Sequence, residues 1–154
     1  MSLQNDLSSV HLLISELGAL LGVPDLALDE SLVCCLGLDD LVVNLEVNEK
    51  DATLLLYSVV ASLPDTGREP LLMTALSANL LWGETAGDTL ALAESSAAIL
   101  LQRQMRLESL DIQSLAAGLE HFANQCEHWI ATLGEPTAAA PSASPAGIAL
   151  HDFA

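Results

Sequence analysis

Six apolar residues near the start of the chain, Leu3, Leu7, Val10, Ile14, Leu17 and Leu21, recur at alternating steps of four and three. Six near its end, Leu115, Leu119, Phe122, Cys126, Trp129 and Leu133, repeat the same rhythm. That spacing puts side chains on one stripe of a helix, so the sequence predicts a helix over Leu3–Leu21 and another from about Ser109–Asp111 to Leu133. Gly22, Val23 and Pro24 stop the first, because glycine suits a C-terminal cap and proline cannot continue the ladder. A helix with a single apolar stripe must bury it against something. The segment between the two helices has to supply that cover.

It reads as sheet. Leu32–Leu38 is apolar at both alternating sets of positions, Asp39-Asp40 makes a turn, and Leu41, Val43, Leu45 and Val47 alternate with Asn44 and Glu46. The pattern predicts a hairpin whose second strand has one wet face. Asn48–Asp51 is the next turn, and Thr53–Leu63 reads as a third strand. Pro64–Gly67 forms a loop, after which Arg68-Glu69-Pro70 opens a second helix with proline in the first turn, where its missing N–H costs nothing. That helix carries Leu72, Met73, Leu76, Leu80 and Leu81 and is expected to end at Trp82-Gly83. Thr89–Glu94 and Ala98–Leu107 read as two further strands, antiparallel across the short Glu94-Ser95-Ser96 joint, with Arg103 interrupting an otherwise apolar face of the second. The expected order is α-β-β-β-α-β-β-α within one domain over 1–133. Residues 134–154, with three prolines and mostly alanine and serine, have too little apolar bulk to order and are expected to form a disordered tail, although Ile148, Leu150 and Phe153 could dock.

Charge and composition remove whole classes of partner. Four Lys+Arg against 21 Asp+Glu give a formal net charge of -17, which repels nucleic-acid phosphates and anionic bilayers. With 51% hydrophobic residues the chain nevertheless folds, and at 3% aromatic content it lacks stacking platforms for bases. The N-terminal stretch has no basic region and carries Asp6 and Glu16, so it is not a signal peptide. No apolar run is long enough to span a membrane. Cys34, Cys35 and Cys126 read as reduced packing residues of a cytosolic protein.

The search for chemistry ends with no catalytic, cofactor-binding or metal residue predicted. Nucleotide-loop, hydrolase and zinc-protease motifs are absent. Glu120-His121 and Glu127-His128 repeat seven residues apart, which separates the histidines by about 10 Å along a helix, too far for one metal ion. They and His11 read as boundary residues. Asp39-Asp40 suits local hydrogen bonding in a turn, and Cys34 or Cys126 would need an electropositive setting to act as a nucleophile, which so acidic a chain does not offer.

The mean hydropathy of +0.45 is high for so acidic a protein, and a domain of this size cannot hide that much apolar surface alone. Leu72, Leu76 and Leu80 form a stripe on the second helix, extended by Leu81 and Trp82. The expectation is self-association into a homodimer.

Element order, acidity and the absent active site resemble the class I type III secretion chaperones, the CesT-like Tir-chaperone family. The resemblance runs over about residues 3–133. It is carried by the Leu-rich first helix, the LVCCLGLDD to LVVNLEV hairpin, SVVASLP at Ser58–Pro64, ANLLW at Ala78–Trp82 and the last helix around Phe122 and Trp129. It implies an α+β homodimer with a five-stranded, mainly antiparallel twisted sheet and three helices. It also implies a cytoplasmic protein of a Gram-negative bacterium that holds an N-terminal segment of a secreted effector in extended form and meets the secretion apparatus. No enzyme activity, cofactor, nucleic acid or membrane insertion is implied. The regions concerned place the twofold contact at Leu72, Leu76, Leu80, Trp82, Leu90 and Leu92, and the effector against Leu13, Leu17, Leu20, Val33, Cys35 and Leu36, with strand addition at a sheet edge as the mode of binding. The alternative is a regulatory module that sequesters a secretion-linked transcription regulator.

Overall fold

The computed structural model describes residues 3–134, with side chains from Leu7 onward. The expected tail and the docking of Ile148, Leu150 and Phe153 lie outside the described residues. Three α-helices, α1 (Leu3–Leu21), α2 (Arg68–Ala78) and α3 (Ile112–Leu133), accompany five strands, β1 (Val33–Leu38), β2 (Leu41–Asn48), β3 (Thr53–Ser62), β4 (Thr89–Ala93) and β5 (Ala98–Arg106). The strands form one sheet in the order β1-β2-β3-β5-β4, and every neighbouring pair is antiparallel. Both the predicted order and the α+β class hold.

The helical stripes and one face of the sheet make the core. Val10, Ile14 and Leu17 of α1 and Leu115, Leu119, Phe122, Cys126, Trp129 and Leu133 of α3 are buried together with Cys34, Leu36, Val43, Leu45, Leu54, Leu56, Ile99 and Leu101 from the strands. The caps follow the sequence. Gly22 takes φ 69, while Val23 N–H donates to Gly18 O at 2.8 Å and Gly22 N–H to Ala19 O at 3.3 Å, the pair of bonds that closes a helix on a left-handed glycine. The chain then folds back so closely that a Cβ on Gly18 would lie 2.7 Å from both Leu26 Cβ and Val23 O. At the start of α3, Asp111 Oδ1 accepts from Ser114 N–H at 2.7 Å, and Ser114 Oγ accepts from Asp111 N–H at 3.0 Å, a reciprocal capping box.

Two expectations change. The second helix stops at Ala78 instead of running to Trp82-Gly83, and a short 3-10 turn, Leu80–Trp82, follows it. Asn79 still holds helical backbone angles while its side chain pairs with the backbone of β4, and the helical path breaks at Leu81 and Trp82, both at φ 54. α2 turns Ala75 and Ala78 to the core and leaves Leu76 exposed. Small residues let it lie close, with Leu71 partly buried against the core and Met73 and Leu76 facing outward.

Glu46 is also not solvated, although Val42, Asn44 and Asn48 on its face of β2 are exposed or half-buried. It is buried, and Tyr57 Oη donates to its Oε2 at 3.1 Å. A carboxylate at an alternating polar position was satisfied by a neighbouring strand, which periodicity alone cannot show. Arg103, by contrast, has a partner that explains its place on an apolar face: its Nε donates at 2.6 Å to Oδ1 of the fully buried Asp88. Burial, the largest influence, pushes the Asp88 carboxyl up, and the Arg103 guanidinium opposes it.

Candidate interaction surfaces

The two outer edges of the sheet are finished differently. On β1, Cys34 and Leu36 stand opposite Leu45 and Val43, and Leu32 O accepts from Val47 N–H at 3.0 Å. Antiparallel partners alternate between bonded and non-bonded pairs, so Val33, Cys35 and Gly37 turn their N–H and C=O groups outward. The chain fills the first of these rungs itself. Asp29 N–H donates to Val33 O at 2.9 Å, and Val33 N–H donates to Asp29 Oδ1 at 3.0 Å. Cys35 and Gly37 have no such partner among the described residues. On β4, one amide side chain imitates a strand: Asn79 Nδ2 donates to Leu90 O at 2.8 Å and Leu90 N–H donates to Asn79 Oδ1 at 2.9 Å.

A second surface is the sheet face turned away from α1 and α3. Beside the buried Tyr57–Glu46 pair it forms a concavity of about 710 Å³ lined by Leu55, Tyr57, Leu100, Gln102 and Gln104, with Trp82 at its border. Burial first, and the adjacent Glu46 charge second, push the Tyr57 phenol well above its usual range, so it remains a hydrogen-bond donor.

The third is an apolar ridge. Leu76 is 71% exposed, Leu80 73% and Leu81 84%, with Met73, Trp82 and Leu92 exposed beside them. Leu81 and Trp82 both hold φ 54, a left-handed conformation that costs an ordinary residue about 1–2 kcal/mol. Two such residues in succession project large apolar side chains that nothing among the described residues covers.

The candidate residues from sequence divide sharply under burial. Among those expected on the twofold contact, Leu76, Leu80, Trp82 and Leu92 are exposed, Leu72 is half-buried, and Leu90 is buried. Leu90 is corrected to a core residue, since it faces Leu101 across the β4–β5 ladder. Among those expected to meet an effector, Leu20 and Cys35 are exposed and Leu13 and Val33 half-buried. Leu17 and Leu36, at 0% and 1% exposure, are packed between helix and sheet and are corrected to supports of the surface. A strand apolar at all positions had hidden which set faces the helices. The residues missed are Met73 on the ridge, Gly37 on the edge and Asn79 behind β4. Gly37 did carry a signal, as a lone glycine inside a strand often marks close approach of another backbone.

The cysteines and histidines are separated. Burial pushes the Cys34 thiol up to about 11 and Cys126 up to about 12, whereas Cys35 is exposed. The His128 ring meets Trp129 edge-on with centroids 5.2 Å apart. No group of three or more His, Cys, Asp or Glu among the described residues could hold a metal ion, and no described helix is long and apolar enough to cross a membrane.

The model of the Tir chaperone protein (CesT) family matches residues 12–130. No curated protein matches the sequence. Among solved structures, the chain is similar to one in the ExsC–ExsE complex, with a TM-score of 0.72, 24% identity, and coverage of 82% of this chain and 94% of that one. It is similar to one in the HopA1–SchA chaperone–effector complex, with a TM-score of 0.64, 21% identity, and coverage of 78% and 91%. A third likeness is to the Yersinia pestis type III secretion chaperone SycH in complex with a stable fragment of YscM2, with a TM-score of 0.60, 19% identity, and coverage of 77% and 98%.

Proposed function

The chain belongs to the Tir chaperone protein (CesT) family, and from that premise we propose that it is a type III secretion chaperone that binds a segment near the N-terminus of a secreted effector in extended form. The protein binds without chemistry, keeps the segment soluble and competent for export, and works in the bacterial cytoplasm. The observation that carries the reading is the combination of the family match with a sheet edge at which Cys35 and Gly37 have no backbone partner among the described residues. An extended segment needs backbone partners, and these two residues offer them without demanding one client sequence. Val33 on the same strand and Leu13 and Leu20 on α1 supply apolar contacts, each fully covered aliphatic side chain contributing about 1.5–3 kcal/mol.

The working unit is a homodimer built on the apolar ridge. A twofold contact sets a surface against itself, and Leu76, Leu80, Leu81 and Trp82 then cover one another. Sequestration of a secretion-linked transcription regulator has no observation of its own and is not adopted.

Co-expression with effectors of the same secretion system, followed by capture of the tagged chaperone, tests the function. Wild-type protein is expected to retain an effector N-terminal segment. Val33→Asp and Cys35→Asp variants that keep their fold and oligomeric mass are expected to lose it. Full retention by both variants would place the client elsewhere, and capture of a transcription regulator with no exported protein would favour the alternative.

A further inference from the structure

The apolar ridge is strained, and its own side chains do not hold it. Leu81 (φ 54, ψ 20) and Trp82 (φ 54) break the helical path after α2, yet Leu80, Leu81 and Trp82 are all exposed, so their packing does not impose that path. The local bonds, Trp82 N–H to Asn79 O at 3.1 Å and Gly83 N–H to Leu80 O at 3.3 Å, are those of a single turn, which a right-handed continuation of α2 would replace with its own. Strained backbone persists only where its surroundings over-determine it. The constraint therefore enters from the ends of the segment.

Both ends are anchored by polar side chains that add nothing to the apolar surface of the ridge. Before it, Asn79 keeps helical angles (φ -70, ψ -13) and exchanges two hydrogen bonds with Leu90 of β4. After it, the fully buried Asp88 accepts from Arg103 Nε of β5 at 2.6 Å, and its N–H donates to Thr85 O at 3.0 Å. His121 of α3 lies within electrostatic reach of the same carboxylate. Between the anchors Ala86 (φ 53) and Gly87 (φ 93) are left-handed as well. Thr85 Oγ1 and Asp88 Oδ2 are buried with no hydrogen-bond partner among the described residues. A segment that keeps leucine, tryptophan and alanine left-handed, together with unpaired buried polar atoms, is held away from its local optimum.

Resting on the reading of the ridge as the twofold contact, we propose that Asn79 and Asp88 are positioning residues for self-association: they clamp residues 80–87 at both ends and impose the left-handed path that presents Leu81 and Trp82 to a second copy. Freed at either end, Leu81 and Trp82 relax into right-handed helix, the continuation of α2 that an ordinary L-residue favours. Their side chains then stand about 100° apart around the helix axis, and the ridge is dispersed. A dimer requires the presenting path in both copies. If the clamped fraction falls to about one third in each, the dissociation constant rises about tenfold.

Sedimentation velocity on the full chain reads the dimer, and backbone carbon chemical shifts at residues 81 and 82 read the path. Wild type is expected to be dimeric at micromolar concentration, with left-handed shifts at both residues. Asn79→Ala and Asp88→Ala are expected to stay folded, to show helical shifts there and to raise the dimer dissociation constant about tenfold or more. Asp88→Asn, which keeps an oxygen for Arg103 Nε, is expected to behave as wild type in both readouts. Leu76→Asp is expected to be monomeric with the left-handed shifts retained. If folded Asn79→Ala and Asp88→Ala dimerise like wild type, or lose affinity while residues 81 and 82 stay left-handed, the clamp is overturned and the ridge stands. Should Asp88→Ala not fold, Asn79→Ala decides alone. A monomeric wild type, or a Leu76→Asp variant that still dimerises, would overturn the ridge as the contact and the clamp's part in self-association with it.

Discussion

Single residues here are governed by whether the core or a neighbouring strand claims them. Cys34 and Cys35 are adjacent, yet one is buried and the other exposed, because successive strand side chains point to opposite faces. A thiol reagent such as dithionitrobenzoate is therefore expected to modify one of the three cysteines in native protein, Cys35, and all three after unfolding; rapid native labelling of Cys34 or Cys126 would contradict their burial and raised pKa. Asp111 gives a pH signature. Hydrogen bonds from the Ser114 backbone and hydroxyl hold its carboxyl below the usual carboxylate range. An acid with a depressed folded value contributes stability that is present above its unfolded pKa of about 3.9 and is lost as pH falls through the folded value. Asp111→Asn is expected to flatten that acid limb of the stability-versus-pH curve relative to wild type, measured by denaturant midpoints between neutral and strongly acid pH. Asp111 was legible in sequence as the start of a helix. The Tyr57–Glu46 and Arg103–Asp88 pairs were not, because each joins residues that only strand register or a loop brings together.

At the scale of elements, α1 and α3 were readable because their four-three stripes repeat over enough turns to fix both type and buried face. β1 was readable as an element but not in orientation. β1 is apolar on both faces, so Leu36 inward and Cys35 outward follow from its pairing with β2. The α2 leucines read as a stripe in need of a partner, and the helix rests on Ala75 and Ala78, since closeness to β4 rewards small side chains. Asn79 is the hinge of this arrangement. Asn79→Ala removes both hydrogen bonds to Leu90, each contributing about 1 kcal/mol, and exposes another sheet edge. The variant is expected to lose about 2 kcal/mol in stability and to show faster amide exchange at Leu90. Unchanged exchange there would mean that the rung is closed by other means.

For the whole molecule, the surplus of apolar residues that the composition announced is exposed on the ridge of Met73, Leu76, Leu80, Leu81, Trp82 and Leu92 and, more sparsely, at Leu12, Leu20, Leu21 and Val42. Leu76→Asp places a charge at the centre of the proposed twofold contact, and its copy in the partner faces it, a cost of several kcal/mol when both are buried. Sedimentation at micromolar concentration is expected to give a dimer for wild type and a monomer for this variant, while Leu20→Asp on α1 leaves the dimer intact. A monomeric wild type would remove the ridge as an interface. The sequence by itself determined the succession of helices and strands, the caps at Gly22 and Asp111, and the family, because these rest on periodicity and on short-range backbone chemistry. Only the tertiary structure decided which apolar residues are supports and which are surface. Leu17, Leu36 and Leu90 are chemically the same as Leu20, Leu76 and Leu81, and what separates them is the pairing of strands and the crossing of helices over them, contacts between residues far apart in the chain that no local pattern encodes.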